Sequence, residues 1–258
     1  MKPLAIVACI LTFATAQAAA AQCPRPDALG TSRTLIVDPA TTPRVGLKSF
    51  PQTLPLADKE VVLTFDDGPF PPTTQRVLDA LAKECVQATF FLIGKSAEAN
   101  PVLVQRIAAE GHSIGHHSYS HPNMGHTAQD IAIKDIERGI AADELALNGR
   151  ASAIPTTPFF RFPYFESTPA LLDLMQVRGI TVFGADLWAS DWENMTPQQE
   201  LALVTERLAK AGKGIILFHD PKARTAAMMP DFLRYLRTHG YRVVHVVAKT
   251  PPVQQVGK

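Results

Sequence analysis

From residue 60 onward, short apolar runs rich in β-branched and aromatic residues alternate with longer amphipathic stretches, and this alternation constrains the fold more than any other feature. The apolar runs fall at 61–65, 88–93, 113–117, 159–162, 181–185, 215–218 and 242–247. The amphipathic stretches fall at 74–83, 102–110, 129–147, 169–177, 197–209 and 226–237. Strands separated by helices predict a mostly parallel sheet, because right-handed crossovers bring each strand back alongside its neighbour. Such a sheet either stays open and doubly wound or closes into a barrel. No repeat or low-complexity linker divides residues 59–248, which therefore read as one α/β domain followed by a short tail at 249–258.

The chain before residue 59 is different. Lys2, an apolar run from Leu4 to Phe13 and the small residues at 18–21 have the layout of a secretory signal, too short for a membrane span. Residues 1–21 are therefore expected to be removed on export to the periplasm or the outside. Residues 22–58 are rich in Pro and Thr, lack helical periodicity and read as an extended segment that wraps the domain. Of the three Cys, Cys23 and Cys85 remain after that cleavage, and sequence alone leaves open whether they pair.

Composition removes several classes. Lys+Arg of 25 against Asp+Glu of 24 leaves no basic surplus for a phosphate backbone, so no nucleic-acid partner is expected. Without a CxxC pair, any metal has to be held mainly by histidine and carboxylate. Nothing in the sequence points to a protein partner.

The polar residues cluster where chemistry is built in parallel α/β folds, at the carboxyl ends of the expected strands. Asp66 and Asp67 follow the first run, His117 ends the third, Arg161 and Tyr164 end the fourth, Asp186 and Asp191 follow the fifth, and His219 and Asp220 the sixth. Any one of these is an ordinary cap or turn former; their recurrence on one edge favours a site. Adjacent carboxylates at 66 and 67 make sense if one binds a cation and another positive group holds its neighbour. His117 and His121, four apart, meet on one face if that segment turns helically, and with one carboxylate they form a metal site with open positions. His112 and His116 are assigned to packing or surface. Hydrolysis at a metal also needs a base and an acid; Asp66 is the candidate base, His219 the candidate acid, and Arg161 a group able to orient a carboxylate.

In this order the segments resemble the NodB-homology polysaccharide deacetylases, the family 4 carbohydrate esterases. Asp66-Asp67-Gly68, His117 with His121, Arg161-Phe162-Pro163-Tyr164, Asp191-Trp192 and Ile216-Leu217-Phe218-His219 match five motifs of that family across about 60–247. The resemblance implies a distorted (β/α)7 barrel. It implies Asp66 as base, Asp67, His117 and His121 as ligands of a metal, usually zinc and sometimes cobalt, nickel or manganese, and Arg161 as holder of the base. It further implies that the Tyr164 backbone N–H binds the oxyanion and Asp191 tunes the acid His219. Trp192, Ile216 and Leu217 would contact the substrate. Two departures touch substrate contacts: Trp188 stands where the fourth motif usually has an acid or amide, with Asp186 two positions earlier, and Ile216 stands where Leu is common.

The implied activity is removal of N-acetyl groups from an amino-sugar polysaccharide such as peptidoglycan, a chitin-like polymer or an exopolysaccharide, with acetate released. An O-acetyl esterase on a xylan-like glycan uses the same groups. A catalytically inactive carbohydrate-binding homologue is the remaining alternative, against which the intact triad, base and acid argue.

Overall fold

The computed structural model describes Cys23 and residues 25–249. The expected signal at 1–21 and the tail beyond 249 lie outside the described residues. In chain order the elements are β1 (Thr31–Val37), β2 (Arg44–Val45), β3 (Glu60–Asp66), α1 (Thr73–Lys83), β4 (Thr89–Leu92), α2 (Gly94–Ala99), α3 (Pro101–Ala109), β5 (Ser113–His116) and α4 (Gln129–Asn148). After these come β6 (Phe159–Phe160), α5 (Pro169–Val177), β7 (Thr181–Phe183), β8 (Leu187–Trp188), α6 (Pro197–Ala211), β9 (Gly214–His219), α7 (Ala223–Thr238) and β10 (Arg242–Ala248). No helix among the described residues is long and apolar enough to cross a membrane.

All strand pairs are parallel. The ladder runs β8-β9-β3-β4-β5-β6-β7-β2, and β10 joins β3 at Glu60 and Val61 while carrying β1 on its other side. β7 and β8 follow one another in the chain without pairing, so the curled sheet is left open between Phe183 and Leu187.

Strands β1, β2 and β8 and helix α2 were not anticipated. β1 is an edge strand whose side chains alternate between partly covered and exposed, which gives a polar run such as Thr31-Ser32-Arg33-Thr34 no apolar signature. Strands β2 and β8 are two residues each, too short to show a period. The segment before residue 59 is thus partly sheet rather than only a wrapping strand. It is pinned at its start by a Cys23–Cys85 disulfide. Glu84 reinforces the join by accepting from the Leu29 N–H at 2.9 Å and pairing with Arg25 at 3.1 Å and Arg237 at 3.2 Å.

Pleating sorts the core into two faces. On β3, Val61, Leu63 and Phe65 pack outward with α1 and α7 residues such as Leu78 and Phe232. Val62 points inward, with Phe91, Phe159, Phe183 and Ile215. Thr64 and Asp66 share that inward row, which is why a strand so apolar ends in a buried carboxylate. Helix ends follow local chemistry: α6 starts at a capping box of Thr196 and Gln199 with Pro197 at its first position, and α4 stops at Gly149 in the left-handed region.

The disulfide closes 62 residues of chain, so Cys85→Ser is expected to lower unfolding stability by about 2–4 kcal/mol, read by urea denaturation of oxidised protein.

Candidate active site

The inward rows of β3 and β9 and the loops that follow β5 and β6 converge on one cavity of about 570 Å³ at the carboxyl edge, lined by Asp66, Asp67, His117, His121, Leu217 and His219 among others. Tyr164, Phe165, Trp188 and Trp192 form its aromatic wall.

Asp67 stands just past β3 with φ of 75°, and Gly68 beside it leaves no room for a side chain, because a Cβ there would overlap the Asp220 carboxyl group. Asp220 is fully buried and accepts from the Thr74 hydroxyl, whose oxygen accepts from the Phe70 N–H at 2.7 Å. These contacts fix the loop that presents Asp67.

His117 and His121 converge as anticipated, but not through a helix. The loop between them is a left-handed turn with Ser118 at φ 67° and His121 at φ 60°. The Ser118 hydroxyl accepts from the His121 N–H at 3.0 Å, and Asp135 of α4 accepts from the Tyr119 and Ser120 N–H groups at 2.9 and 3.2 Å. Asp67 Oδ1 then lies 3.5 Å from His117 Nε2 and 3.3 Å from His121 Nε2.

This trio fits a divalent metal on its own chemistry. One oxygen of Asp67, Oδ1, is buried without a hydrogen-bond partner although two imidazole nitrogens face it. His117 Nδ1 lies 2.6 Å from the Arg161 carbonyl, which makes Nδ1 the protonated nitrogen and turns the Nε2 lone pair towards Asp67. Burial pushes the His117 imidazole down to about 3, so it is neutral, as a ligand must be.

Arg161 is fully buried, contrary to the ordinary expectation of a surface ion pair. Its Nη1 donates to Asp66 Oδ1 at 2.6 Å and Thr64 Oγ1 at 2.9 Å, its Nη2 to the Gly184 carbonyl at 2.8 Å, and its Nε to the Phe183 carbonyl at 3.3 Å. Burial raises the affinity of Asp66 for a proton and the guanidinium opposes it; burial prevails, and the carboxyl rests above its ordinary range. That combination suits a base.

On the far side of Asp67, His219 Nε2 lies 3.9 Å from Asp67 Oδ2. Asp191, fully buried, holds the histidine twice: Oδ1 accepts from Nδ1 at 2.7 Å and Oδ2 from the backbone N–H at 2.6 Å. Burial alone would lower the imidazole, but the hydrogen bond and charge of Asp191, with Asp67 and Asp66 behind it, push it up to about 9.

Behind Asp191 lies a group without a sequence signature. The Thr225 hydroxyl sits 2.8 Å from Asp191 Oδ2 and 2.9 Å from Oε1 of Glu200, itself fully buried in the first turn of α6. One hydroxyl proton cannot serve two carboxylates, so Glu200 has to bring its own. Burial, then the charge of Asp191, raise it to about 7. Its folded value exceeds its unfolded one, so ionising it costs stability as pH climbs from about 5 through 7. Glu200→Gln is expected to gain stability over wild type as pH goes from 5 to 8, read by urea midpoints at both values.

The other anticipated residues fall as follows. Trp192 is half exposed and meets His219 edge-on at 5.8 Å between ring centroids. Tyr164 is exposed, at φ 58°, with its ring 4.7 Å from that of His121. Leu217 lines the cavity. Ile216 does not: the pleat of β9 sends it to the helix-facing core, so its expected substrate contact is withdrawn. Asp186 lies outside the cavity and accepts from the N–H groups of Leu47 and Ile215 and from the Thr53 hydroxyl, tying β2's loop to the sheet. His112 and His116 are both buried packing residues, His116 at 2.7 Å from Asp143.

Residues 54–183 match the profile of the polysaccharide deacetylase family. The peptidoglycan-N-acetylglucosamine deacetylase PgdA of Listeria monocytogenes is 33% identical over 203 residues, 78% of this chain and 41% of that protein. The chain therefore spans less than half the length of that relative. A chitooligosaccharide deacetylase of Azorhizobium caulinodans is 34% identical over 66% of this chain and 78% of its own. A peptidoglycan deacetylase of Bdellovibrio bacteriovorus superposes with a TM-score of 0.76 at 34% identity, covering 88% of this chain and 62% of that one. With profile, relatives and solved structure in agreement, the chain belongs to the polysaccharide deacetylase family.

Proposed function

We propose that this protein removes N-acetyl groups from an amino-sugar polysaccharide, of the peptidoglycan or chitin-like kind, outside the cytoplasm. The observation that carries the reading is the flanking of the Asp67, His117 and His121 trio by an arginine-held carboxylate on one side and a carboxylate-held histidine on the other. The relatives' names supply the substrate class, and the signal-like layout of residues 1–21 supplies the location.

Asp67, His117 and His121 would hold the metal, with zinc the first choice for two imidazoles and a carboxylate and cobalt, nickel or manganese as substitutes. When bound, that cation supplies Lewis-acid polarisation of the acetyl carbonyl and acidifies water. Asp66 takes the proton of the attacking water, and the new C–O bond leaves negative charge on the former carbonyl oxygen, which the Tyr164 backbone N–H would stabilise. His219 Nε2 gives its proton to the amide nitrogen, the C–N bond breaks, and acetate and a free amine result. Leu217 and Trp192 enclose the acetyl methyl group.

Acetate release from peptidoglycan strands and chitin oligomers, with chelator and after zinc is restored, tests this. Chelator-sensitive, zinc-restored release is expected. Zinc-loaded protein that binds these glycans yet frees no acetate from any of them would overturn it in favour of a binding role.

A further inference from the structure

We propose that residues 44–53 build a second sugar subsite that selects glycans bearing a carboxylate, with Lys48 as the recognising cation; this rests on the deacetylase reading above. A second cavity of about 340 Å³ shares Phe162, Tyr164 and Phe165 with the active-site cavity, so the two adjoin there, and the proposed groove runs across both. Its far wall is Lys48, Ser49 and Phe50, which precede the stretch matched by the family profile.

That wall is rigid. β2 pairs with β7 at Arg44↔Val182 and Val45↔Phe183, and the Lys48 N–H donates to the Ala185 carbonyl at 3.0 Å. Gly46, at φ 112°, lies so close to the sheet that a Cβ would sit 2.6 Å from the Ala185 nitrogen. The backbone of Lys48 is thereby fixed at the groove.

The side chain is placed for recognition. Lys48 Nζ lies 5.2 Å from the centroid of the Trp188 ring, which also faces the active-site cavity. Trp188 stacks on Phe165 at 6.2 Å, giving flat faces for a sugar ring. Among the described residues Lys48 has no carboxylate within ion-pair distance, and neither has Lys222, which lines the active-site cavity but not the second one. Glu166 lines the second cavity as well and repels an anion there, which confines a substrate carboxylate to the Lys48 side. The fitting ligand is a sugar next to the acetylated one that carries a carboxylate, either directly or on an attached peptide. A neutral polymer would fill the groove and leave the lysine in water.

The test compares peptide-free glycan strands of alternating N-acetylglucosamine and N-acetylmuramic acid, peptide-bearing strands and chitin oligomers of equal length. Acetate release gives kcat/KM, and tryptophan fluorescence gives affinity independently of turnover. Lys48→Met is expected to cut the preference for carboxylate-bearing over neutral glycans by about three- to fivefold, the scale of an exposed ion pair, through KM rather than kcat. Lys48→Glu should cut it further, and Lys48→Arg should keep it. A loss confined to peptide-bearing strands puts the carboxylate on the peptide; a loss confined to peptide-free strands, whose lactyl carboxyl is not tied up in an amide, puts it on the sugar; a loss on both means that Lys48 takes either. An unchanged preference in Lys48→Glu, in either readout, overturns the proposal. Absence of acetate from every glycan, with the affinity preference for carboxylates intact and lost in Lys48→Glu, would sink only the deacetylase reading.

Discussion

Asp66→Asn is expected to lower kcat on an acetylated glycan by about 10²–10⁴-fold at every pH, the range for removal of a positioned general base. The amide keeps the shape and an acceptor for Arg161 Nη1, now 2.6 Å from Asp66 Oδ1, but it cannot take a proton. The same substitution takes from the buried guanidinium the carboxylate bonded to it and leaves only the more distant charge of Asp186, which costs about 3–5 kcal/mol of stability. Rates therefore have to be taken where circular dichroism shows the variant folded. Arg161→Met separates base from scaffold. With its guanidinium gone, the largest of the influences holding the Asp66 pKa down is gone, and only the charges of His219 and His121 still oppose burial. The base should then ionise at a higher pH than in wild type. Below the pH near 9 at which His219 loses its proton, activity in Arg161→Met should thus climb with pH, whereas in Asp66→Asn it stays flat; a flat profile in both would remove Asp66 from the role of base.

How far the sequence carried this site depends on which contacts a one-dimensional pattern can encode. Pleating is such a pattern. An apolar run ending in Asp66-Asp67 places alternate residues on opposite faces, so Thr64 and Asp66 could be read as one inward row. The same rule should have moved Ile216 away from the substrate, since it alternates with Leu217 on β9. The motif resemblance carried it there instead. The His117 to His121 spacing foretold convergence but not its cause, because left-handed backbone at Ser118 and His121 leaves no composition signal when no glycine is used. Contacts made between elements distant in sequence were the least legible. Glu200 sits in the first turn of a helix where an acid is unremarkable, and only the packing of α6 on α7 brings it within 2.9 Å of Thr225. Asp186 looked like a misplaced motif residue, yet it is the clamp that docks residues 47 and 53. Strands β1 and β2 were hidden for a related reason: an edge strand buries too little on either face to need an apolar rhythm.

Asp191→Asn is expected to disable the acid without removing it. In wild type the Asp191 contacts are the strongest of the influences raising His219 to about 9, so the imidazole keeps its proton across the neutral range and loses it only as pH approaches that value. His219 binds a proton more tightly folded than unfolded, so this interaction stabilises the fold fully below about pH 6.5 and is lost as pH rises through 9. With the carboxylate replaced by an amide, burial is opposed only by the charges of Asp67 and Asp66, and the imidazole falls below its wild-type value of about 9. The amide also presents an N–H where Nδ1–H needs an acceptor, which favours the wrong tautomer or rotates the ring. At neutral pH kcat should fall by about 10²–10⁴-fold, close to the loss in His219→Ala. The two variants differ in a way a merely structural role would not produce. Lowering pH reprotonates His219 in Asp191→Asn and should recover part of the activity until Asp66 itself takes up a proton, while His219→Ala has nothing to reprotonate. An NMR titration of the His219 ring in zinc-loaded protein measures the cause directly. A His219 pKa unchanged by Asp191→Asn would show that this carboxylate does not set the acid, and the alkaline limit of activity would then have to come from another group.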